Sequence, residues 1–89
     1  MRALRLFSDT TKVLEKLPAK QYRQVLSKIL KLPANPIPND ASKLKGEEAY
    51  RVTSGEYRII YSYNDDSVDI LAVGKRNDSD VYKKFKRLR

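Results

Sequence analysis

The side chains in this sequence that could do chemistry are cationic and phenolic. They are Arg51 and Arg58, seven residues apart, then the adjacent pair Lys75-Arg76, then Tyr82. Arginine binds phosphate through a planar fork of donors and stays charged at any physiological pH. By the same fact it is a poor proton acceptor. A tyrosine near such a set can stack its ring on a base or offer its hydroxyl to a phosphate, although Tyr82 also fits a packed helix tyrosine. These residue types suit the binding of a phosphate group. The chain has no histidine and no cysteine. The commonest metal ligand and acid–base group are therefore missing, as are thiolate and disulfide chemistry, and no cofactor or metal is expected.

Net charge leads to the same partner class. Nineteen Lys and Arg stand against eleven Asp and Glu, giving +8. Phosphate neutralisation supplies much of nucleic-acid affinity, so a polyanionic partner ranks ahead of the alternative that the charge only keeps a small protein soluble. The charge is concentrated toward the end of the chain. Lys75, Arg76, Lys83, Lys84, Lys86, Arg87 and Arg89 are accompanied there only by Asp78 and Asp80. The beginning, MRALRLFSD, lacks the apolar core of a signal peptide, and no run reaches the ~18 apolar residues of a membrane span. A cytoplasmic location is expected.

Eighty-nine residues allow one domain, 1–89, with a modest core. A first strand is expected over 3–7, and Ser8 or Asp9 can cap a helix over about 10–17 carrying Val13, Leu14 and Leu17. Pro18 breaks that helix and suits the first turn of the next. In the second helix Tyr22, Val25, Leu26, Ile29 and Leu30 recur at i, i+3, i+4, i+7 and i+8, which gives one apolar stripe. Pro33, Pro36 and Pro38 end the helical region in a stiff connector. From Glu48 the period becomes two, with strands over 48–53, 56–64 and 67–73. Asp65-Asp66 joins the last two, Gly74 ends the sheet, and a basic helix follows over about 79–88. The expected fold is α+β in the order β-α-α-β-β-β-α, with an N-terminal helical hairpin on a small, mainly antiparallel sheet.

Strand register then places the arginines. A two-residue turn at Ser54-Gly55 would pair Thr53 with Glu56, Val52 with Tyr57 and Arg51 with Arg58. Tyr50, Val52, Tyr57, Ile59, Tyr61 and Tyr63 share one face, the seat for the helices. Arg51, Thr53, Glu56 and Arg58 share the other. Two arginines directly opposed repel, which is easier to explain if an anion sits between them. Neutralisation by Glu56 or by solvent explains the pair equally well. Strict alternation puts Lys75 on the Arg58 face, and a bulge at Gly74 would put Arg76 there instead.

The runs Lys43-Leu44-Lys45-Gly46, Tyr50-Arg51-Val52 and Gly55-Glu56-Tyr57-Arg58-Ile59-Ile60-Tyr61 resemble the core of RelE/ParE toxins. So does Val73-Gly74-Lys75-Arg76 followed by Val81-Tyr82, and the helical hairpin with its proline exit extends the likeness over nearly the whole chain. The resemblance implies a RelE-like fold and, in the RelE branch, a toxin that enters the ribosomal A site and cuts messenger RNA. It assigns Arg58 to the transition-state phosphate, Arg76 to the leaving 5′-oxygen, Tyr82 to the scissile nucleotide and Arg51 to one of two basic positions on the second strand. The other position is Thr53, where RelE enzymes usually carry Lys or Arg. Lys75 and Tyr82 are then the candidate bases. Lys43, Lys45, Lys75, Lys83, Lys84, Lys86 and Arg87 are the candidate RNA contacts.

Attack of a ribose 2′-hydroxyl on its own 3′-phosphate needs no histidine. The reaction is intramolecular, so alignment lowers much of the barrier, and cations meet the charge developing on the phosphate. The expected function is a metal-independent mRNA endonuclease, acting on the ribosome and held by a RelB-like antitoxin, through which alone the pair would reach operator DNA. The rival reading is a ParE-like toxin that inhibits DNA gyrase and cuts nothing. A third is a basic RNA-binding module without activity.

Overall fold

The switch from a 3.6-residue to a two-residue period appears in the structure as a helical hairpin followed by a meander. The computed structural model describes residues 2–75 of the 89. In order these are β1 (Ala3–Leu6), α1 (Ser8–Lys16), α2 (Ala19–Lys31), β2 (Ser42–Lys43), β3 (Tyr50–Ser54), β4 (Tyr57–Tyr63) and β5 (Ser67–Lys75). The strands form one sheet in the order β1-β5-β4-β3-β2. Neighbours are antiparallel except β1 and β5, which run parallel. This is the expected α+β fold with one strand more, since the two-residue β2 is too short to leave a period in the sequence. The basic helix expected over 79–88 lies outside the described residues.

Backbone bonds rather than a side-chain cap start α1. Phe7 is its extended N-cap, and the Phe7 carbonyl accepts from the N–H of Thr10 at 2.9 Å and of Thr11 at 3.3 Å. Ser8 and Asp9 therefore lie inside the first turn instead of ahead of it. Leu17 is extended, as residues before proline are, so α1 stops one residue earlier than its apolar stripe. Pro18 is the N-cap of α2 and not a member of its first turn.

Val25 and Ile29 of α2, Leu14 of α1 and Leu32 pack on Val52, Tyr57, Ile59, Tyr61, Val68, Ile70 and Val73 of the sheet. Full burial of such side chains contributes about 1.5–3 kcal/mol each. The α2 stripe divides, however. Tyr22 remains 39% exposed and Leu30 57%, because a stripe of five residues spans a wider arc than the sheet can cover. The buried Thr10 hydroxyl donates to the Ile70 carbonyl at 3.4 Å and ties α1 to β5.

Two features of the meander differ from the register read in the sequence. The β3–β4 turn is Gly55-Glu56, flanked by the pair Ser54–Tyr57, so Thr53 lies opposite Arg58, Val52 opposite Ile59 and Arg51 opposite Ile60. Gly55 has φ +59°, as the first central residue of a glycine-first hairpin turn requires, and this outweighs the Ser54-Gly55 alternative. The register moves by two, so every β3 and β4 side chain keeps its face, but Glu56 leaves the ladder for the turn. The parity reset comes earlier than Gly74. Ile60 pairs with Ala72 and Tyr61 with Ile70, which leaves Leu71 as the extra residue of a bulge in β5. Beyond it Val73 returns to the helix-bearing core.

The proline connector is held at three points. The Tyr61 hydroxyl donates to the Pro36 carbonyl at 2.6 Å, an Arg2 guanidinium N–H donates to the Pro33 carbonyl at 3.4 Å, and Lys28 pairs with Asp40 at 2.5 Å. Hydrogen bonding from Lys28 holds the Asp40 carboxyl below its ordinary value. Burial pushes the Tyr61 phenol up to about 12. The folded state resists losing that proton, so the Tyr61 contribution is intact below pH 10 and is lost as pH rises toward 12. Tyr61→Phe strands the Pro36 carbonyl and should cost about 1–3 kcal/mol in urea denaturation at pH 8. The same variant should lose less of its remaining stability than the parent between pH 10 and 12.

Candidate nucleic-acid interface

The sheet face away from the helices collects the arginines. By register Arg51 and Thr53 of β3, Arg58 and Ile60 of β4, and Ala72 and Gly74 of β5 all project to that side. Arg58 is central. Its direct neighbours are Thr53 on one strand and Gly74 on the other. Arg51 faces Ile60, so it lies on the diagonal from Arg58, a separation of about 7–8 Å between residues in such pairs. The arginines are thus close without being directly opposed, and the full like-charge cost expected from the earlier register is reduced.

Below them lies a second apolar cluster of Ala49, Ile60 and Ala72, joined by Leu44 and Leu71. Ile60 is wholly buried, and both arginines are half-buried with the Nε of Arg58 shut off from solvent. An apolar floor lowers the local dielectric and strengthens what a guanidinium does to a nearby anion. Gly74 matters because it has no side chain. Any larger residue there would put a Cβ beside Arg58 on the same face and narrow the approach of a ligand. Asp69, farther along this face, is engaged by Arg5 at 3.4 Å.

The other expected contacts scatter. Lys43 pairs with Tyr50 and therefore lies toward the helix-bearing face of the edge strand β2. Lys45 is exposed in the turn that follows, next to Gly46 at φ +74°. Lys75 pairs with Tyr57, because the Leu71 bulge moves it off the Arg58 face. Strict alternation had placed it on that face. Of the proposed catalytic group, the fold brings Arg51 and Arg58 together. Arg76, Tyr82, Lys83, Lys84, Lys86 and Arg87 lie outside the described residues. Among the described residues no three His, Cys, Asp or Glu side chains gather where they could hold a metal ion. No helix there is long and apolar enough to cross a membrane.

Arg51 and Arg58 thus share one sheet face with an apolar cluster and a glycine. The family model for the ParE toxin of the type II toxin–antitoxin system parDE matches residues 4–79. The chain belongs to the RelE/ParE toxin family. Among solved structures it is similar to the archaeal RelE–RelB complex from Pyrococcus horikoshii, at 32% identity and TM-score 0.75, over 84% of this chain and 94% of that one. It is also similar to a mutant of Escherichia coli toxin RelE in the free state, at 25% identity and TM-score 0.81, over 98% and 96%. The RelBE2 toxin–antitoxin complex of Mycobacterium tuberculosis follows at 25% and 0.73, over 84% and 98%. A search of curated proteins finds no match.

For this RelE/ParE chain, sequence reasoning overlooked the apolar floor and the place of Gly74. The signal was present in Ile59-Ile60, two apolar neighbours in an alternating strand, which means that both faces of β4 are covered. The arrangement also locates the departure at Thr53 directly beside Arg58. Thr53→Arg would set two cations in true cross-strand opposition and should destabilise the fold by about 0.2–1 kcal/mol. Denaturation at low salt should show that loss, and added salt should shrink it by screening.

Proposed function

We propose that this type II toxin is a ribosome-dependent mRNA endonuclease that works without a metal. The observation that carries the reading is the placement of Arg51 and Arg58 on adjacent strands of one face, with Gly74 opposite Arg58. In the reaction the messenger's 2′-oxygen bonds to its own 3′-phosphorus as the bond from phosphorus to the 5′-oxygen breaks. The 2′-hydroxyl gives up its proton to a base, and the departing 5′-oxygen gains one. Arg58 meets the charge on the non-bridging oxygens, with Arg51 beside it, and Arg76 meets the charge on the leaving oxygen. Tyr82 orients the nucleotide. Tyr82 is the candidate base, since Lys75 lies off the Arg58 face, and alignment of the reacting groups is assigned to the ribosome.

A RelB-like antitoxin is the natural partner, since similar chains occur in RelE–RelB complexes. It would mask the cationic face, and operator DNA would be reached through it. A second reading keeps the fold and changes the target. Thr53 gives the position beside Arg58 no charge, and the matching family model is that of ParE toxins, so gyrase inhibition without cutting is the alternative.

Expression in growing cells with primer extension on messengers separates the two. The nuclease reading expects breaks at fixed positions within codons of translated regions only. Arg58→Ala should slow that cutting about 100–1,000-fold, the usual effect of deleting a transition-state donor. Growth arrest with intact messengers and damaged chromosomes would replace this reading with the gyrase one.

A further inference from the structure

The helix-bearing side of the β3–β4 hairpin tip carries a second cationic feature that the arginine face does not use. A cleft of about 580 Å³ opens between α2 and the turn, lined by Lys20, Arg23, Gln24, Ser27, Ser54 and Gly55. We infer that this cleft is a phosphate-binding site for the sugar–phosphate backbone of structured RNA, separate from the arginine face.

Charge is the first argument. Lys20 and Arg23 are three residues apart on α2, so they are neighbours on its surface and repel each other. Among the described residues neither forms an ion pair, and no acidic residue lines the cleft. An anion between them would turn this unfavourable contact into two favourable ones. The remaining lining is suited to phosphate oxygens. Ser27 and Ser54 supply hydroxyl donors and Gln24 an amide. At Gly55 the turn conformation at φ +59° favours a residue without a side chain, and the Gln24 amide oxygen lies against it, 3.6 Å from where a Cβ would stand. Lys75 adds a third cation on the same side. It stands in the row Ser54–Tyr57–Lys75 across three strands, two strand spacings or roughly 10 Å from Ser54.

The lining also favours nucleic acid over an acidic peptide. A peptide helix needs an apolar strip to bury, and none of these six side chains is a large hydrophobe. The apolar groove at Leu26 and Leu30 lies farther along α2 and is a separate feature. The hairpin tip thus has Thr53 and Arg58 on one side and the Lys20–Arg23 cleft on the other. A backbone passing round the tip could touch both. The inference shares with the proposed function the premise that the partner is RNA, but it does not depend on cutting.

The test is equilibrium binding of the intact chain to a 2′-O-methyl RNA hairpin, which cannot be cut by 2′-oxygen attack, across a series of salt concentrations. Each lost phosphate contact removes about 0.7–0.9 from the slope of log affinity against log salt. The double variant Lys20→Gln/Arg23→Gln should therefore lower the slope by about 1.4–1.8. The control Lys12→Gln/Lys16→Gln removes the same charge from α1, outside the cleft, and should leave the slope nearly unchanged. An unchanged slope in the cleft variant, or an equal fall in both variants, overturns the site. Tighter binding of an oligoglutamate peptide than of the hairpin, lost in the cleft variant, would overturn the RNA assignment in favour of a protein ligand. A slope loss confined to the cleft variant, in a protein that cuts no messenger, would sink the nuclease reading and leave this one standing.

Discussion

Tyr57, Ile59 and Tyr61 reach the helices only if Arg58, Ile60 and Ser62 turn the other way, because side chains on a strand alternate faces. Strand β4 is the middle of five, bonded on both edges, and it cannot slip by one residue without exchanging its core for its cations. That constraint reaches the whole molecule. It seats Val25 and Ile29 over one face, places Arg58 on the other, and leaves Ile60 to be covered from the side the described helices do not occupy. Core and cationic face are two readings of a single strand parity.

The bulge at Leu71 adjusts this parity on the neighbouring strand. Without it, Val73 would leave the core and Lys75 would join the arginine face. With it, Val73 is fully buried opposite Ile59, and Gly74 stands beside Arg58. One extra residue in β5 thus exchanges Val73 for Gly74 opposite Arg58 and moves Lys75 off that face. The loss of Lys75 from that face lowers the repulsion there. It also sends a cation to the helix side, toward Lys20 and Arg23. A family likeness to RelE and ParE toxins places the chain among type II toxins, but the strand geometry is what distinguishes the two sides of the hairpin tip.

Tyr50 stacks on Tyr61 at 5.9 Å between ring centroids and tilts against Tyr63 at 5.5 Å, while the Arg2 guanidinium lies 5.5 Å over the Tyr63 ring. The tyrosine ladder carries the sheet's apolar face out to its open end, where single phenol and guanidinium bonds catch the connector. Asn64 organises the β4–β5 turn in the same economical way. Its side-chain oxygen accepts from the N–H groups of Asp66 and Ser67, both at 2.8 Å.

By itself the sequence determined what depends on near neighbours. The helical stripe of α2, the two-residue period of the meander, the turn at Asp65-Asp66 and the common face of Arg51 and Arg58 were all legible. Each follows from spacing within one element or from alternation, which a shift of the turn by one residue does not disturb. Lack of histidine and cysteine removed imidazole and thiol chemistry in the same direct way. Tertiary structure alone decided the remainder. Which partner stands opposite Arg58, where β5 gains its extra residue, and that β1 runs parallel beside β5 depend on pairing between segments distant in the chain. No local preference encodes such pairing. Turn geometry at Gly55 and the requirement to bury both Ile70 and Val73 across a twisted sheet settle it together.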